Sequence, residues 1–479
     1  MDRSHSSIRT TAQESTRSDS KERQTIGAGL IGATPSGTHG YFDRRGLSPG
    51  AGRNMSPVVL GRTGWSVGPV GFGAYRTVFE EHEEALRTAL LSGCNLIDTS
   101  PSYGNGSSEQ LIGKVTSSLI SEGALTREQI ILVTKVPLGP QTSINDRLTR
   151  SLERLRTDSI DVLLLENPEY FLKNGGTHAE YYRLLRTAFE DLESEVCRGR
   201  LQYYGISSNT LPEPKDHDTF TSLEFVWENA QSLGSNHHFG IIEFPLNLLE
   251  PGAAVEANNN TMTLLEFARA RDLGTLVNRP LNALRGRSLF RLADRAARHG
   301  GSFEKDELEN ALNDTLQLEA NYPGEEVVSA GQIAWAHMLR KNLDQLVGIE
   351  SWEHILANRI RPILSPAIER LAANPEFAFW ADEYRFRSEE LFSAVSRFLE
   401  KQHANRSEMI SRLLVEAAPE LESSQSLSKK AIRVYRSLPG VHCVLVGLRQ
   451  VSHVREALEL KPPISAQSAL NALRAVQES

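Results

Sequence analysis

Cysteine is scarce: the 479 residues hold only Cys94, Cys197 and Cys443. They lie far apart with no CxxC spacing, which excludes a disulfide frame or a thiolate metal centre, and all three are expected to be buried thiols in a reducing compartment. Long apolar runs are also missing. None reaches the roughly 18 to 20 residues that a membrane helix needs, so no membrane partner is expected. Positive charge is not in excess, with 52 Lys and Arg against 60 Asp and Glu and a formal net charge of −8. With no basic stripe interleaved with aromatics, nucleic acid is not an expected partner either. Gly71-Phe-Gly73 is followed by neither GxGxxG nor GK[ST], so it is no phosphate loop. His237-His238 has no third ligand placed by spacing, and no metal is expected.

What is present is the composition of a soluble globular chain, 39% apolar and 23% charged. Residues 1–55 are rich in Ser, Thr, Gly and Arg and poor in large apolar side chains, and read as a disordered or loosely docked tail. Asp2, Glu14, Asp19 and Glu22 argue against a transit peptide, since such peptides are poor in acids, and no secretory signal is read. A cytoplasmic location is expected, with organelle targeting by the tail left open.

From residue 56 onward, short apolar runs alternate with amphipathic helical patterns. Asn95-Leu-Ile-Asp98, Ile130-Ile-Leu-Val-Thr-Lys135 and Ile160-Asp-Val-Leu-Leu-Leu-Glu166 each break abruptly into an ionisable residue. Runs of this kind read as strands covered on both faces, and repetition of the βα unit predicts a parallel (β/α)8 TIM barrel. Further strands are expected after Leu60-Gly-Arg-Thr-Gly64 and at Tyr203–Ser207, Gly240–Glu243 and Thr275–Arg279. The eighth is delayed: between 285 and 427 the pattern is helical, and only Val441-His-Cys-Val-Leu-Val-Gly447 supplies a last strand. A barrel takes roughly 250 residues, so the surplus is assigned to the tail and to this helical insertion. Barrel strands 1–7 are thus expected within 56–284, and the final strand with a C-terminal helix within 428–479. Both Ala330–Leu339 and Ser428–Tyr435 look like the helix that precedes strand 8. The second is preferred because it runs directly into the strand.

Side chains at the C-terminal ends of barrel strands face the mouth, where such folds keep their chemistry. Reducing a carbonyl by hydride requires a proton donor beside the developing alkoxide, and a tyrosine favoured by a nearby ammonium can serve. Tyr103 beside Lys135 fits, with Asp98 holding the lysine charged and oriented. Taken singly, a strand-end lysine is a solvated charge, a loop tyrosine is rim packing, and Asp98 caps a turn. The conjunction on successive strands carries the catalytic reading.

Leu60-Gly-Arg-Thr-Gly64, Gly71-Phe-Gly73, Asn95-Leu-Ile-Asp-Thr-Ser-Pro-Ser-Tyr-Gly104, Gly113-Lys114, Val133-Thr-Lys135, Asp161-Val-Leu-Leu-Leu165, Gly205-Ile-Ser207 and Pro245-Leu-Asn-Leu-Leu249 together resemble the aldo-keto reductase family over residues 57–284 and 428–462. The resemblance implies a barrel binding NADP(H) ahead of NAD(H), with Tyr103 as general acid and base, Lys135 and Asp98 as its tuning pair, and a small carbonyl or enone as substrate. Three departures stand out. Glu166 occupies the family's catalytic histidine position, which a steroid double-bond reductase branch also fills with glutamate. Ser207, Ser208 and Glu243 fall where Ser, Asn and Gln hold the nicotinamide carboxamide; a glutamate accepts from its NH2 but cannot donate to its oxygen. The clamp for the 2′-phosphate falls on Gly447-Leu-Arg-Gln-Val-Ser-His453, where Arg449 and His453 are basic. Arg279 meets the pyrophosphate or else pairs with a neighbouring acid.

Glu166 has two readings: a neutral acid in a dry site donating to the substrate oxygen, or a carboxylate paired with Lys135 or Arg279. The rival to an oxidoreductase is a nucleotide-binding barrel with little or no turnover, serving a binding or regulatory role. The insertion's aromatic patch, Phe377, Phe379, Trp380, Tyr384 and Phe386, is either a packing face or the surface for a protein partner.

Overall fold

A computed structural model describes residues 32–47, 56–139, 143–285, 288–294, 305–346 and 348–478. Eight parallel strands close into a barrel in chain order. They are β1 Val70–Gly73, β2 Leu96–Asp98, β3 Ile131–Pro137, β4 Ile160–Glu166, β5 Leu201–Ser207, β6 Phe239–Pro245, β7 Gly274–Asn278 and β8 Cys443–Val446. The closing strand β8 pairs on both sides, Val444 lying opposite Val277 of β7 and Val70 of β1. This is a (β/α)8 TIM barrel.

The strand alternation of period 2 sorts each residue to the inside or the outside. Outward-facing Ile97, Leu132, Leu163, Ile206 and Ile242 join the helices in one large core. Inward-facing Leu96, Ile131, Val133, Leu164, Ile241 and Leu276 fill the barrel with a second. Two residues further along the same strands, towards the mouth, the inward positions become Asp98, Lys135, Glu166, Ser207, Glu243 and Asn278. The polar layer therefore sits directly on the apolar one. Gly205 is required where the β5–β6 register shifts, because a Cβ there would lie 1.7 Å from the Ile241 carbonyl oxygen.

The opposite end of the barrel is plugged by an antiparallel hairpin, Val58–Val59 with Ser66–Val67, which inserts Leu60, Trp65 and Val67 into the interior core. Part of the expected tail is docked here as well. Residues Pro35–Asp43 form a helix capped by Thr34, and Tyr41 and Phe42 are fully buried. The Ala33 N–H donates to Asp161 Oδ1 at 2.6 Å, and the Tyr41 hydroxyl donates to the Leu90 carbonyl at 2.7 Å. Burying a phenylalanine contributes roughly 1.5–3 kcal/mol, so of the two readings of 1–55, disordered or docked, residues 32–47 take the docked one. Residues 1–31 and 48–55 lie outside the described residues.

Between β7 and β8 the chain first makes a hairpin, Asn282–Arg285 with Ser288–Arg291. Helices Lys305–Ala320, Trp335–Asn342, Ile349–Ile355, Arg361–Ala372 and Ala378–Ala417 follow. They bury a core of their own, with Leu308, Leu312, Ile349, Trp352, Leu364 and Leu391 among its members. The 40-residue helix Ala378–Ala417 joins the two regions: Leu391 and Leu399 belong to the insertion's core, whereas Ile410 and Leu414 belong to the barrel's outer core. The last segment holds two helices after β8, Val451–Leu458 and Ala466–Gln477. Cys94 and Cys443 are buried, but Cys197 is exposed at the end of its helix, against expectation. Among the described residues no helix is long and apolar enough to cross a membrane, and no group of ligand side chains could hold a metal ion.

Candidate active site

Strands β2, β3 and β6 bring Asp98, Lys135 and Glu243 together at the top of the interior core. Lys135 is 1% exposed, yet it carries an ammonium. Its Nζ bonds Asp98 Oδ1, donates to the Thr99 carbonyl at 3.3 Å, and lies 3.0 Å from Glu243 Oε2, an ion-pair distance without hydrogen-bond alignment. Burial alone would lower the lysine's pKa, but Asp98 and then Glu243 raise it well above the ordinary value. Asp98 is also raised well above the ordinary carboxylate range, by burial and then by Glu243, and Lys135 offsets this only in part. The two shifts agree physically: two carboxyl groups share one buried ammonium, so the ammonium holds its proton tightly while Asp98, only partly offset, gains affinity for one.

Tyr103 comes from the loop after β2, in a single turn Tyr103–Gly106 whose Gly104 and Asn105 are left-handed. Its ring centroid lies 5.7 Å from Lys135 Nζ, and Tyr75 packs edge-on against it at 5.3 Å. Burial pushes the phenol up, Lys135 pulls it down, and Asp98, Glu243 and Glu166 push it up again; the net direction is upward. Tyr103 is thus a protonated hydrogen-bond donor, largely buried at the mouth.

Glu166 lies at the end of β4, partly exposed. Ser100 Oγ donates to its Oε2 at 3.0 Å and Ser102 Oγ to its Oε1 at 3.2 Å. Its partners are therefore two hydroxyls of the loop that carries Tyr103, and not Lys135 or Arg279. Ser100 and Ser102 went unread in the sequence, although Ser-Pro-Ser after a strand end signals a turn with donors to spare.

The expected carboxamide grip is arranged differently. Ser207 Oγ donates to Glu243 Oε1 at 3.0 Å, and Asn278 Nδ2 donates to the same oxygen at 2.8 Å. Glu243 is 2% exposed and faces Lys135. Ser208 is 1% exposed and engaged with Thr210 and Thr221, away from the mouth, because it follows Ser207 and so takes the outward side of the alternation. Arg279 bonds Glu250 Oε1 at 2.7 Å, so its pairing with an acid is what the structure holds.

Beyond β8 the chain is open. Gly447 is exposed, and a Cβ there would meet nothing within 4 Å. Arg449 is held below the ordinary arginine value by burial and then by Arg291 and Arg76; His453 is lowered by burial, Arg291 and Arg449. Arg76, on the loop after β1, and Arg291, from the hairpin after β7, thus join the two sequence-read residues in a basic cluster. No signal short of the fold could have joined them, since the four come from three separate segments.

The sequence model of the Aldo/keto reductase family matches residues 64–358. This match takes in Ala330–Leu339 and stops short of β8. Aldo-keto reductase YhdN of Bacillus subtilis is 32% identical over 182 residues, 36% of this chain and 48% of that protein. Aldo-keto reductase family 4 member C11 of Arabidopsis thaliana is 28% identical over 161 residues, 32% of this chain and 50% of that protein. The chain thus spans about half the length of the curated relatives it matches. Among solved structures, it is similar to an aldo/keto reductase from Klebsiella pneumoniae in complex with NADP and acetate, at 15% identity and a TM-score of 0.45, covering 89% of this chain and 96% of that one. With the family model spanning more than half of its length, this chain belongs to the aldo/keto reductase family.

Proposed function

We propose that the protein is an NAD(P)H-dependent oxidoreductase that reduces a small carbonyl or enone, with Tyr103 as the proton donor. The observation that carries this reading is Tyr103 beside the buried Asp98–Lys135 pair at the barrel mouth. Outside chemistry, nothing obvious requires a buried ammonium under an otherwise unengaged phenol. A bound nicotinamide would supply the hydride. Tyr103 would then deliver its proton to the oxygen that gains charge, and Lys135 would orient the phenol and limit the cost of the phenolate left behind. Glu166, braced by Ser100 and Ser102, borders the same space and would set which substrates enter it.

The residues present fit a nicotinamide dinucleotide phosphate. Open backbone at Gly447 and the cluster of Arg76, Arg291, Arg449 and His453 would hold a phosphate, and three guanidinium groups favour NADP(H) over NAD(H). Among the described residues, Arg76, Arg291 and Arg449 form no ion pair that would compete with it. In this arrangement Ser207 and Glu243 act from beneath the mouth, and Arg279 only shapes its wall.

The test is oxidation of NADPH and NADH against a panel of aldehydes, quinones and enones, beside a titration of nucleotide binding. Tyr103→Phe should keep the fold and the nucleotide affinity and lose at least about a hundredfold in turnover. Lys135→Met should lose turnover too and, because two buried carboxyl groups lose their counter-ion, should cost about 3–5 kcal/mol of stability. Binding without turnover on any substrate would support the rival, a nucleotide-binding barrel with a regulatory role.

A further inference from the structure

The family reading places Glu243 against the cofactor, but the geometry gives it another neighbour. It stands two residues beyond Ile241 on β6, inward-facing and 2% exposed, with Oε1 fixed by Ser207 and Asn278 and Oε2 turned to Lys135 at 3.0 Å. Lys135 therefore has two counter-ions, Asp98 from β2 and Glu243 from β6. The other ionisable groups facing this centre are Tyr103 on the loop after β2, Glu166 on β4 and the buried Cys443 thiol on β8, which is itself pushed up by burial, by Cys94 and by Asp98.

We propose that Glu243 is a positioning residue: as a second counter-ion to Lys135 beside Asp98, it draws on the ammonium that would otherwise favour a Tyr103 phenolate, and so adds to the burial that keeps Tyr103 a protonated phenol, the form that reduction consumes. This rests on the reading of Tyr103 as the proton donor. One ammonium neutralises one carboxylate. With two carboxyl groups against it, the ammonium's charge is divided between two partners in a water-poor interior, and less of it is left to stabilise a negative phenol beside it. With Asp98 alone, Lys135 would draw the phenol further towards phenolate. Reduction consumes the phenol's proton, whereas alcohol oxidation needs a phenolate to accept one. Glu243 thus helps set the pH range over which Tyr103 holds the proton that reduction consumes.

The experiment is an ultraviolet titration of phenolate, reading Tyr103 as the difference between the parent protein and Tyr103→Phe, repeated with Glu243→Gln. In the parent, Tyr103 should yield no phenolate up to about pH 10, where an ordinary tyrosine is half ionised. Glu243→Gln, checked for its fold by circular dichroism, should bring Tyr103 ionisation down by at least about one pH unit, a tenfold gain in phenolate at fixed pH. Its reductive rate should then fall in the alkaline range where the parent's is flat. A Tyr103 phenolate below about pH 10 in the parent, or an unmoved titration in a folded Glu243→Gln, would overturn the proposal. Should Glu243→Gln fail to fold, Glu243→Asp, which keeps the charge but draws it back from Lys135, takes its place: it should bring Tyr103 ionisation down by less, and an unmoved titration in it would equally overturn the proposal. If the titration moves as expected while Tyr103→Phe turns over substrate like the parent, the proton-donor reading fails and the electrostatic role of Glu243 survives.

Discussion

Residues 329–356 and 426–455 carry the same signals in the same order and meet opposite fates. Each has a serine, a helix, the run Leu-Val-Gly and a second helix, with Gly348 and Gly447 in corresponding places. The later copy closes the barrel as β8 between β7 and β1. The earlier copy lies in the insertion, where Leu343–Gln345 make a single turn and Trp352 is buried in the insertion's own core. The intervening residues differ in keeping with the two places. A barrel strand is covered on both faces and needs apolar residues at every position, which Cys443-Val-Leu-Val446 supplies; Asp344 and Gln345 are polar and exposed. Charge follows the same division. Where the barrel copy has Arg449, in the basic cluster, the insertion copy has Glu350. A shared local pattern thus fixes element type less firmly than the availability of two strand edges.

The harshest way to break the comparison is to give the closing strand the polarity of its counterpart. Val444→Asp would set a carboxylate without a partner in a position that is fully buried between two strands. Such a group costs several kcal/mol, against a total stability of roughly 5–15 kcal/mol. The expected result is loss of the cooperative barrel transition in a circular dichroism melt. A variant that melts like the parent would mean that β8 is not what closes the barrel.

How far the molecule can be read from its chain follows from the same physics. The strands were legible because burial on both faces leaves unbroken apolar runs, and Asp98, Tyr103, Lys135 and Glu166 because each ends or follows such a run. The Lys135–Glu243 contact was not, since it joins β3 to β6 and exists only once the barrel has closed. The direction of Ser208 needed the strand's phase, and the pairing of Arg279 with Glu250 needed a loop shape, neither of which propensity supplies. Helix Pro35–Asp43 went unread because its anchors, Tyr41 and Phe42, are two aromatic residues in a polar segment, which is held by Tyr41 to Leu90 and by Ala33 to Asp161, both far along the chain.

A milder perturbation asks whether the two cores melt together. Trp352 is fully buried and its Nε1–H donates to Ser396 Oγ at 2.9 Å. Trp352→Ala should cost about 3–5 kcal/mol, confined to the insertion. Calorimetry should then show a separate, earlier transition for the insertion with the barrel's unchanged. If both fall together, the helix Ala378–Ala417 transmits the loss and the regions are one cooperative unit.

Acid should move the surroundings of His237 and His442 in the barrel and those of Glu319 in the insertion in opposite directions. In the barrel, burial and then Arg62 lower His237 to about 4, and burial lowers His442. Between that value and the unfolded histidine's, about 6.5, the unfolded chain binds the extra protons, so barrel stability falls as pH falls through this window. In the insertion, burial raises Glu319, although the N–H groups of Ala336 and His337 and the Tyr384 hydroxyl all donate to it. There the folded state binds the proton more tightly, and the insertion gains as pH falls towards the unfolded carboxyl's value. Hydrogen exchange from pH 7 to pH 5 should therefore show the amides around His237 and His442, away from the Asp98 centre, losing protection relative to those around Glu319. A parallel loss in both would sink the assignment of these groups as the titrating ones.

The smallest effect is expected from making the insertion copy more like a strand. Asp344→Thr with Gln345→Val would add β-branched residues where the first copy lacks them, and so raise its intrinsic fitness for β8. Both positions are exposed, so the fold should change in stability by no more than about 0.5 kcal/mol. Displacing β8 would require breaking its pairing with β1 and β7 and uncovering Val444, Leu445 and Val446, all now buried. It would also empty Trp352 and Ile349 from the insertion's core, and two better-suited side chains cannot offset both losses. Amide exchange at Cys443–Val446 should thus stay as slow in the double variant as in the parent. Faster exchange there, with new protection appearing at 344–346, would show instead that the two copies compete for one place in the barrel, and that edge availability is not what separates them.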